Sequence, residues 1–558
     1  MKIACLPGPI EKPFLVRLRA LDRERFAERL WEKDAALWSE DPEARRAIEN
    51  RLGWLDPFPR MESETEALRR FAGEARSEFK HALLLGMGGS SLAPEVLART
   101  FGGRGGGIPL RVLDSTDPLA VRAAEEAVDL SRTLVIVASK SGSTAEVDAF
   151  RRYFASLIKD SRRFVAITDP GSPLDRLAEE EGWRFIYRNP ADIGGRYSAL
   201  SLFGLVPAAL LGVDVRRLME GGREAAAASG PAVPAEKNPG LSLGAFLAEG
   251  ALAGRDKLTL LVSPGIPGFG AWVEQLVAES TGKEGKGILP VDGEPLGPPE
   301  SYGSDRIFAV LACGGEDGGI GERGAALAAA GHPVASIRIA DPIDLGGAFF
   351  LWEVATACAS AVLGVNAFDE PNVKESKHRT GDLLAEYVRS GRLDEGDACF
   401  EDGETRLDSD VPLTAADGSG PGERLAAHLA RARPGDYLGL LAFLAPADEV
   451  SGFLADLRSA LRSRTGLATS AGYGPRFLHS TGQLFKGGAN RGVFVQLTAD
   501  DESDLSIPGL PYSFGVLKRA QALGDLAALR THGRRVLRVH FKTDPAAGIR
   551  RLIRIVRG

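Results

Sequence analysis

The stretch HALLLGMGGSSLAPEVLART at residues 81–100 decides the fold of this chain. It consists of a short apolar run, a glycine-rich turn and a segment with the periodicity of a helix. The same order recurs in PLRVLDSTDP (109–118), TLVIVASKSGSTAEVDAFRRYFASLIK (133–159) and RRFVAITDPGSPLDRLAEEEG (162–182). Short apolar runs that alternate with amphipathic helices are typical of a parallel sheet with helices on both faces. The sequence therefore predicts a doubly wound α/β domain.

Outward from this stretch, changes in composition predict the division of the chain. In chain order we expect an N-terminal helical segment (1–75), a first α/β domain (76–245), the first part of a second α/β domain (246–379), a Gly-, Asp- and Glu-rich linker or excursion (380–435), and the remainder of the second domain (436–558). The long apolar stretch from Leu345 to Phe368 is interrupted by Glu353 and by small residues. It predicts a buried core helix rather than a membrane span.

The overall composition excludes several classes of protein. The 558 residues are 44% hydrophobic and 26% charged, with a net charge of −7, as in an ordinary multi-domain globular protein. No basic block suggests a nucleic-acid or membrane surface. The N-terminus has too short an apolar run for a secretory signal. The cysteines lie far apart without metal-ligand spacing, which argues against disulfides and zinc and favours a reducing compartment: Cys5, Cys313, Cys358 and Cys399. We therefore expect a soluble, cytoplasmic protein without a metal or cofactor.

Two glycine- and serine-rich turns are the candidates for phosphate binding. GMGGSS at 86–91 departs from the dinucleotide fingerprint GxGxxG because Ser91 replaces the third glycine. SKSGST at 139–144 opens an amphipathic helix, where free N–H groups and the helix dipole favour an anion. One hydroxyl there would be a simple N-cap. Four hydroxyls beside a lysine favour a terminal phosphate monoester, with Ser90 contributing from the first turn.

Candidate acid–base and cationic groups lie in separate parts of the chain. Glu279 shares the apolar stripe of its helix with Trp272 and Leu276, so its carboxylate is either paired or held with a raised pKa, unless the helix end frays. Arg196 follows two glycines in DIGGRYSAL (192–200), which lets its backbone approach a ligand closely. Taken alone, Arg196 is most simply an ordinary arginine of a turn. Lys377, later in the chain, is most simply a solvated lysine, and His479 a structural histidine.

Together these segments resemble the glucose-6-phosphate isomerase family, also called phosphoglucose isomerase, and in particular the branch found fused to transaldolase. The resemblance covers Arg23 to Phe541. We find no recognisable transaldolase segment before this region and therefore expect the isomerase part alone. It rests on six motifs: GMGGSSLAP, SKSGSTAE, DIGGRYSALS, ESTGKEGKG, GVNAFDEPNVKESK and LHSTGQLFKGG. The resemblance implies two sugar-isomerase (SIS-type) domains, each a mainly parallel doubly wound sheet flanked by helices.

The resemblance also implies a role for individual residues. Glu279 matches the base that moves a proton between C1 and C2, Arg196 the cation that stabilises the enediolate, and Lys377 with His479 the pair that handles ring opening. The implied phosphate-binding residues are Ser90, Ser139, Lys140, Ser141 and Thr144, and those of close backbone approach are Gly88, Gly89 and Gly195. In the family the histidine is lent across a homodimer interface, which implies the same for His479.

The order of the motifs departs from that of the commoner isomerases, in which the histidine block lies between the glutamate and lysine blocks. Here the order is Glu279, Lys377, His479. We therefore expect the second sheet to be built in a permuted chain order.

The expected function is interconversion of glucose 6-phosphate and fructose 6-phosphate, through ring opening and an enediolate. One alternative is an isomerase that also accepts mannose 6-phosphate. Another is a non-catalytic sugar-phosphate-binding regulator of the same fold, which could dispense with Glu279, Arg196, Lys377 and His479. A dinucleotide-dependent dehydrogenase ranks last, because Ser91 replaces the third glycine that the dinucleotide fingerprint requires. The expected partners are a sugar phosphate, a second copy of the chain and, functionally, a separate transaldolase.

Overall fold

Strands of this protein form three separate sheets. The computed structural model describes residues 2–103, 106–315, 317–411 and 420–558, and within them there are sixteen strands. In chain order these are β1 (Lys2–Leu6), β2 (His81–Leu85), β3 (Leu110–Leu113), β4 (Thr133–Ala138), β5 (Phe164–Thr168), β6 (Phe185–Arg188), β7 (Lys257–Val262), β8 (Leu289–Val291), β9 (Arg306–Cys313), β10 (Val334–Ile339), β11 (Phe400–Glu401), β12 (Thr405–Ser409), β13 (Tyr437–Phe443), β14 (Ala468–Tyr473), β15 (Gly492–Ala499) and β16 (Arg535–Phe541).

Helices surround these sheets, and the described residues contain twenty α-helices. They are α1 (Glu11–Arg23), α2 (Phe26–Trp31), α3 (Pro42–Glu49), α4 (Phe58–Glu78), α5 (Leu92–Phe101), α6 (Pro118–Glu126), α7 (Ala145–Leu157), α8 (Pro173–Glu180), α9 (Leu202–Leu210), α10 (Val215–Ala228), α11 (Pro239–Leu252), α12 (Phe269–Thr281), α13 (Ile320–Ala329), α14 (Leu345–Leu363), α15 (Pro371–Ser390), α16 (Pro421–Leu429), α17 (Asp448–Thr465), α18 (Gly482–Gly487), α19 (Phe514–Thr531) and α20 (Pro545–Arg557).

The first sheet is the one predicted from residues 81–182. Its five strands are all parallel, in the order β3-β2-β4-β5-β6. Every residue of β4 is buried, as expected for a central strand that is covered on both faces. The chain leaves β2 toward one side and β4 toward the other, so a crevice opens at the carboxyl ends of these two strands. The two glycine- and serine-rich turns follow β2 and β4 and therefore lie at this crevice.

The rest of the chain differs from the sequence-based expectation of one second sheet in permuted order. Strands from 246–379 and the N-terminal strand β1 form a sheet in the order β1-β10-β9-β7-β8, whereas strands from 380–558 form another in the order β11-β12-β16-β15-β13-β14. The N-terminal strand β1 pairs antiparallel with β10, although 1–75 was expected to be helical. Strand β12 pairs antiparallel with β16, so part of the predicted linker at 380–435 belongs to the third sheet.

Each sheet with the helices packed on it is called a unit: the first contains the sheet β3-β2-β4-β5-β6, the second β1-β10-β9-β7-β8, and the third β11-β12-β16-β15-β13-β14. Helix α14 is the core of the second unit. The segment Pro342–Leu363 is the one helix of the described residues that is long and apolar enough to cross a membrane, and 89% of its most apolar window is buried. It packs against α10, α11 and α12. The structure therefore agrees with the prediction of a buried core helix in this stretch.

Helices from different units meet at the crevice of the first sheet. Helix α12 packs against α5 of the first unit and against α18, and α15 packs against α19. The carboxyl end of α12, the amino end of α15 and the short turn Arg476–His479 thereby converge on the loops that follow β2 and β4.

Candidate functional site

A cavity of about 330 Å³ lies at this convergence. All the residues predicted to form the site line it except Ser139: Gly88, Gly89, Ser90, Lys140, Ser141, Thr144, Gly195, Arg196, Glu279, Lys377 and His479. Ser139 lies directly behind the wall, with its Oγ 3.1 Å from the Oγ1 of Thr144. The fold thus brings together side chains that are separated by up to several hundred positions in the sequence.

The phosphate loop, residues 139–144, leaves its hydroxyl groups unused by the helix that follows. Thr144 is the N-cap residue of α7, yet its side chain makes no capping hydrogen bond. Ser141 is exposed and its Oγ accepts a hydrogen bond from Ser143 Oγ at 3.1 Å. Lys140 Nζ lies 2.6 Å from Asp169 Oδ2, and burial lowers the pKa of this lysine. Hydroxyls and helix N–H groups without a capping role are suited to an anion.

Close backbone packing explains two glycines of the turn that bears Ser90. A Cβ atom on Gly89 would lie 2.1 Å from the carbonyl oxygen of Gly195, and Gly88 has a φ of +54°. Neither position accepts a larger residue without displacement of the backbone. The turn that bears Ser90 is therefore pressed against the turn that bears Arg196.

Glu279 and Arg196 form a buried ion pair in the cavity wall. Arg196 Nη1 lies 3.0 Å from Glu279 Oε1, and the two residues are 6% and 7% exposed. Arg196 also donates to the carbonyl of Asp369 at 2.6 Å and lies 3.3 Å from Glu370 Oε2. Burial raises the pKa of Glu279, and the charge of Arg196 opposes that rise. A carboxyl group with a raised pKa beside a fixed cation can accept and return a proton.

Gln275 is a site residue that the sequence reasoning missed. It lies one turn before Glu279 on α12, and its Nε2 donates to Glu279 Oε2 at 3.3 Å and to the carbonyl of His479 at 2.7 Å. It therefore connects the candidate base to the turn that bears the histidine. Its i, i+4 spacing from Glu279 is the signal that could have identified it.

Glu146 is a second residue that the sequence reasoning missed. His479 Nε2 lies 3.0 Å from Glu146 Oε1. Burial raises the pKa of Glu146, but the charge and the hydrogen bond of His479 outweigh it, so the pKa is lowered to about 2. Because an ionised carboxylate only accepts hydrogen bonds, Nε2 carries the proton and Nδ1 is the ring nitrogen left for a substrate. Glu146 lies two residues after Thr144, in the first turn of α7. This position next to the phosphate loop is the signal in the sequence that could have identified it.

His479 is held by residues of its own chain. The resemblance implied that this histidine serves the neighbouring subunit of a dimer. Within one chain its ring contacts Glu146, and its carbonyl accepts a hydrogen bond from Gln275. Arg476 in the same turn bonds to Glu95 and lies 3.4 Å from Asp114 Oδ2, both in the first unit. These contacts hold the turn in the cavity of the same chain.

Lys377 lies at the more open side of the cavity. It is an exposed residue on α15, and its charge contributes to the lowered pKa of Glu146. Other lining residues that the sequence did not single out are Arg51, Met87, Asp169, Gly194, Tyr197, Phe368, Glu370 and Val373. Within the described residues, no group of three or more His, Cys, Asp and Glu side chains is arranged to hold a metal ion.

The chain is similar in fold to solved α/β structures, one of which is a glucose-6-phosphate isomerase, and this confirms the predicted fold class. A hypothetical protein from Thermus thermophilus aligns with a TM-score of 0.59 and 25% identity, over 69% of this chain and 100% of that chain. A glucose-6-phosphate isomerase from Chlamydia trachomatis aligns with a TM-score of 0.52 and 20% identity, over 65% of this chain and 78% of that chain.

Sequence comparison gives matches to phosphoglucose isomerases. The family model of phosphoglucose isomerase matches residues 58–287. A glucose-6-phosphate isomerase of Parasynechococcus marenigrum is 29% identical over 61% of this chain and 68% of the relative, and one of Rubrobacter xylanophilus is 29% identical over 60% and 87%. One of Trichormus variabilis is 34% identical over 37% and 41%. The predicted resemblance to phosphoglucose isomerases is confirmed, whereas the resemblance to the branch fused to transaldolase stays a prediction. The family match contains Arg196, Glu279 and the phosphate loop but ends before Lys377 and His479.

Proposed function

We propose that this protein is an aldose–ketose isomerase that interconverts glucose 6-phosphate and fructose 6-phosphate. The observation that carries the proposal is the buried pair of Glu279 and Arg196, which faces the phosphate loop across one cavity. A carboxylate base, a fixed guanidinium and a phosphate site are the groups that this reaction needs.

Substrate binding begins at the phosphate in this proposal. Ser90, the phosphate loop and the N–H groups that open α7 hold the phosphate at one end of the cavity. This contact lies away from the reacting carbons, and it supplies binding energy that orients them.

Ring opening follows on the side of the cavity where His479 and Lys377 lie. One proton must leave the O1 hydroxyl and one must reach the ring oxygen O5. The imidazole and the ammonium group carry these protons, and Glu146 holds the imidazole by its Nε2. Nδ1 of His479 is then the nitrogen that meets the sugar.

Proton transfer between carbons is assigned to Glu279. The carboxylate removes the proton from C2 of the open-chain aldose, or from C1 of the ketose, and returns it to the neighbouring carbon. Negative charge develops on the two sugar oxygens in the enediolate, and Arg196 stabilises it because its guanidinium is already fixed by Asp369 and Glu279.

A coupled assay tests the proposal directly. Fructose 6-phosphate is supplied with EDTA present, and the glucose 6-phosphate formed is oxidised by a dehydrogenase with absorbance readout. We expect turnover that chelation does not change, and absence of turnover would contradict the proposal. Mannose 6-phosphate in the same assay shows whether the enzyme serves both epimers.

Several expectations from the sequence remain predictions. They are a homodimer, a soluble and cytoplasmic location, and functional association with a separate transaldolase. Since His479 lies in the cavity of its own chain, we propose that each chain carries a complete site.

A further inference from the structure

A row of hydrogen bonds continues behind Glu146, away from the cavity. Gln521 Nε2 donates to Glu146 Oε1 at 2.8 Å, and Thr116 Oγ1 donates to Gln521 Oε1 at 2.7 Å. Together with the contact from Glu146 to His479 at 3.0 Å, this row links four side chains. Thr116 and Gln521 are 0% and 3% exposed, so water does not compete for these bonds.

The direction of each bond in the row follows from the carboxylate. Since the Glu146 carboxylate only accepts hydrogen bonds, the amide nitrogen of Gln521 must face it. The amide oxygen of Gln521 then points to Thr116, which must donate. Every donor in the row therefore points toward the Glu146 carboxylate, Thr116 and Gln521 from one side and His479 from the other, and the proton of His479 stays on Nε2.

The row is anchored where the third unit meets the first. Gln521 lies on α19, and Thr116 lies in the segment between β3 and α6. One turn before Gln521, Lys518 Nζ lies 2.8 Å from Asp117 Oδ2, and both residues are buried. Two adjacent contacts thus attach α19 to the first unit at the place that supports Glu146.

We propose that Gln521 and Thr116 are positioning residues for ring opening: they fix the Glu146 carboxylate so that His479 presents Nδ1 to the sugar. This inference rests on the proposed function, in which His479 handles ring opening. Neither residue lines the cavity of the candidate site, and in this proposal both act through Glu146. A loosened carboxylate would let the imidazole turn or change tautomer, and misplacement of a reacting group by about 1 Å can cost about 100-fold in rate.

Exchange between the α and β anomers of glucose 6-phosphate isolates ring opening, because it needs no carbon-bound proton transfer. We would measure it by NMR exchange spectroscopy in a Glu279→Gln background, relative to the enzyme-free rate. We expect Gln521→Leu and Thr116→Val to lower the enzyme-dependent exchange by about 10- to 100-fold. Thr116→Ser keeps the hydroxyl and should restore it.

Gln496→Leu is the matched control. Gln496 is a buried glutamine on β15, and its amide donates to the carbonyl of Ala522 on α19 at 3.0 Å. It touches the same helix without joining the row. We expect its anomer exchange to equal that of the parent, and equal losses in the Gln496 and Gln521 variants would overturn the proposal.

A second measurement separates positioning from folding and from the proposed function. In protein labelled with ¹⁵N-histidine, the His479 signal, assigned by loss in His479→Ala, reports which ring nitrogen carries the proton. We expect the Nε2–H form in the parent and a mixture in Thr116→Val. An unchanged signal in Thr116→Val would contradict the inference. If the Glu279→Gln parent shows no anomer exchange, the proposal that this site opens the sugar ring is wrong. The tautomer of His479 then decides by itself whether Gln521 and Thr116 position the imidazole.

Discussion

Nε2 of His479 lies 3.0 Å from Oε1 of Glu146, and the two residues are 333 positions apart in one chain. The contact joins the third unit of the protein to the helix that follows the phosphate loop. It places both ring-opening candidates, the base and the phosphate loop around a single cavity of one polypeptide. This relationship determines what subunit mixing should do.

Mixing two inactive variants should not restore activity. Glu279→Gln lacks the base and His479→Ala lacks the imidazole, and each cavity draws both groups from its own chain. We therefore expect a mixture, after subunit exchange, to show only the sum of the two residual rates in the coupled assay. Wild-type protein mixed with either variant is the control for exchange. Recovery of activity in the mixture would mean that His479 crosses between subunits.

Replacement of the base should affect chemistry more than binding. Glu279→Gln removes the proton acceptor while it keeps the size of the side chain, so turnover should fall about 100- to 10,000-fold. Binding of a phosphorylated sugar-acid mimic of the enediolate should survive, since Arg196 remains. Glu220→Gln, at an exposed position of α10, is the control. Near wild-type turnover would place the base elsewhere, and unfolding of the variant would make Glu279 a structural partner of Arg196.

Loss of two phosphate-loop hydroxyls should weaken binding. Ser139→Ala combined with Thr144→Ala removes donors that are each worth about 1.5–3 kcal/mol toward a charged acceptor. We expect a higher KM for fructose 6-phosphate and weaker inhibition by inorganic phosphate, with a smaller change in kcat. Ser156→Ala is the matched control, because that hydroxyl on α7 bonds only to the carbonyl of Tyr153 in the described structure. Unchanged inhibition by inorganic phosphate in the double variant would show that the phosphate site lies elsewhere.

Removal of the guanidinium should change the pH profile as well as the rate. Arg196 opposes the burial that raises the pKa of Glu279, so Arg196→Gln should raise this pKa further. Because the base must be ionised to act, the acidic limb of the kcat/KM profile should move to higher pH. Turnover should also fall about 100- to 1000-fold, as when an oxyanion donor is lost. An acidic limb that does not move would show that Glu279 is not the titrating group.

Stability should fall with rising pH because of Glu353. This residue of α14 is 1% exposed, its Oε1 has no hydrogen-bond partner within the described residues, and burial raises its pKa well above the ordinary value. Between the unfolded and folded pKa the folded state binds the extra proton, so the free energy of unfolding decreases as pH rises.

Glu353→Gln should reduce that slope, since an amide does not titrate. The measurement is Tm from about pH 5 to about pH 9, with Glu322→Gln at an exposed position of α13 as control. If Tm falls with pH equally in Glu353→Gln and in the wild type, Glu353 is not the group that makes stability depend on pH.

The sequence by itself determined the first sheet and the centre of the site. Alternation of apolar runs with amphipathic helices is a local pattern, so residues 81–182 predicted neighbouring elements of one parallel sheet. The loops after β2 and β4 and the glycines before Arg196 are likewise local turn chemistry. The spacing placed Glu279 on the apolar face of its helix, and the resemblance to the isomerase family implied its role as the base.

Only the tertiary structure decided how the later elements combine. Strands β9 and β15 read alike in sequence, and their assignment to different sheets depends on pairing between residues far apart in the chain. In the same way, β1 joins β10, which lies several hundred positions later in the chain. The contact between His479 and Glu146, and the support from Gln521, likewise arise from packing between units. Such contacts leave no periodic trace in the sequence, because neither partner's local conformation depends on the other.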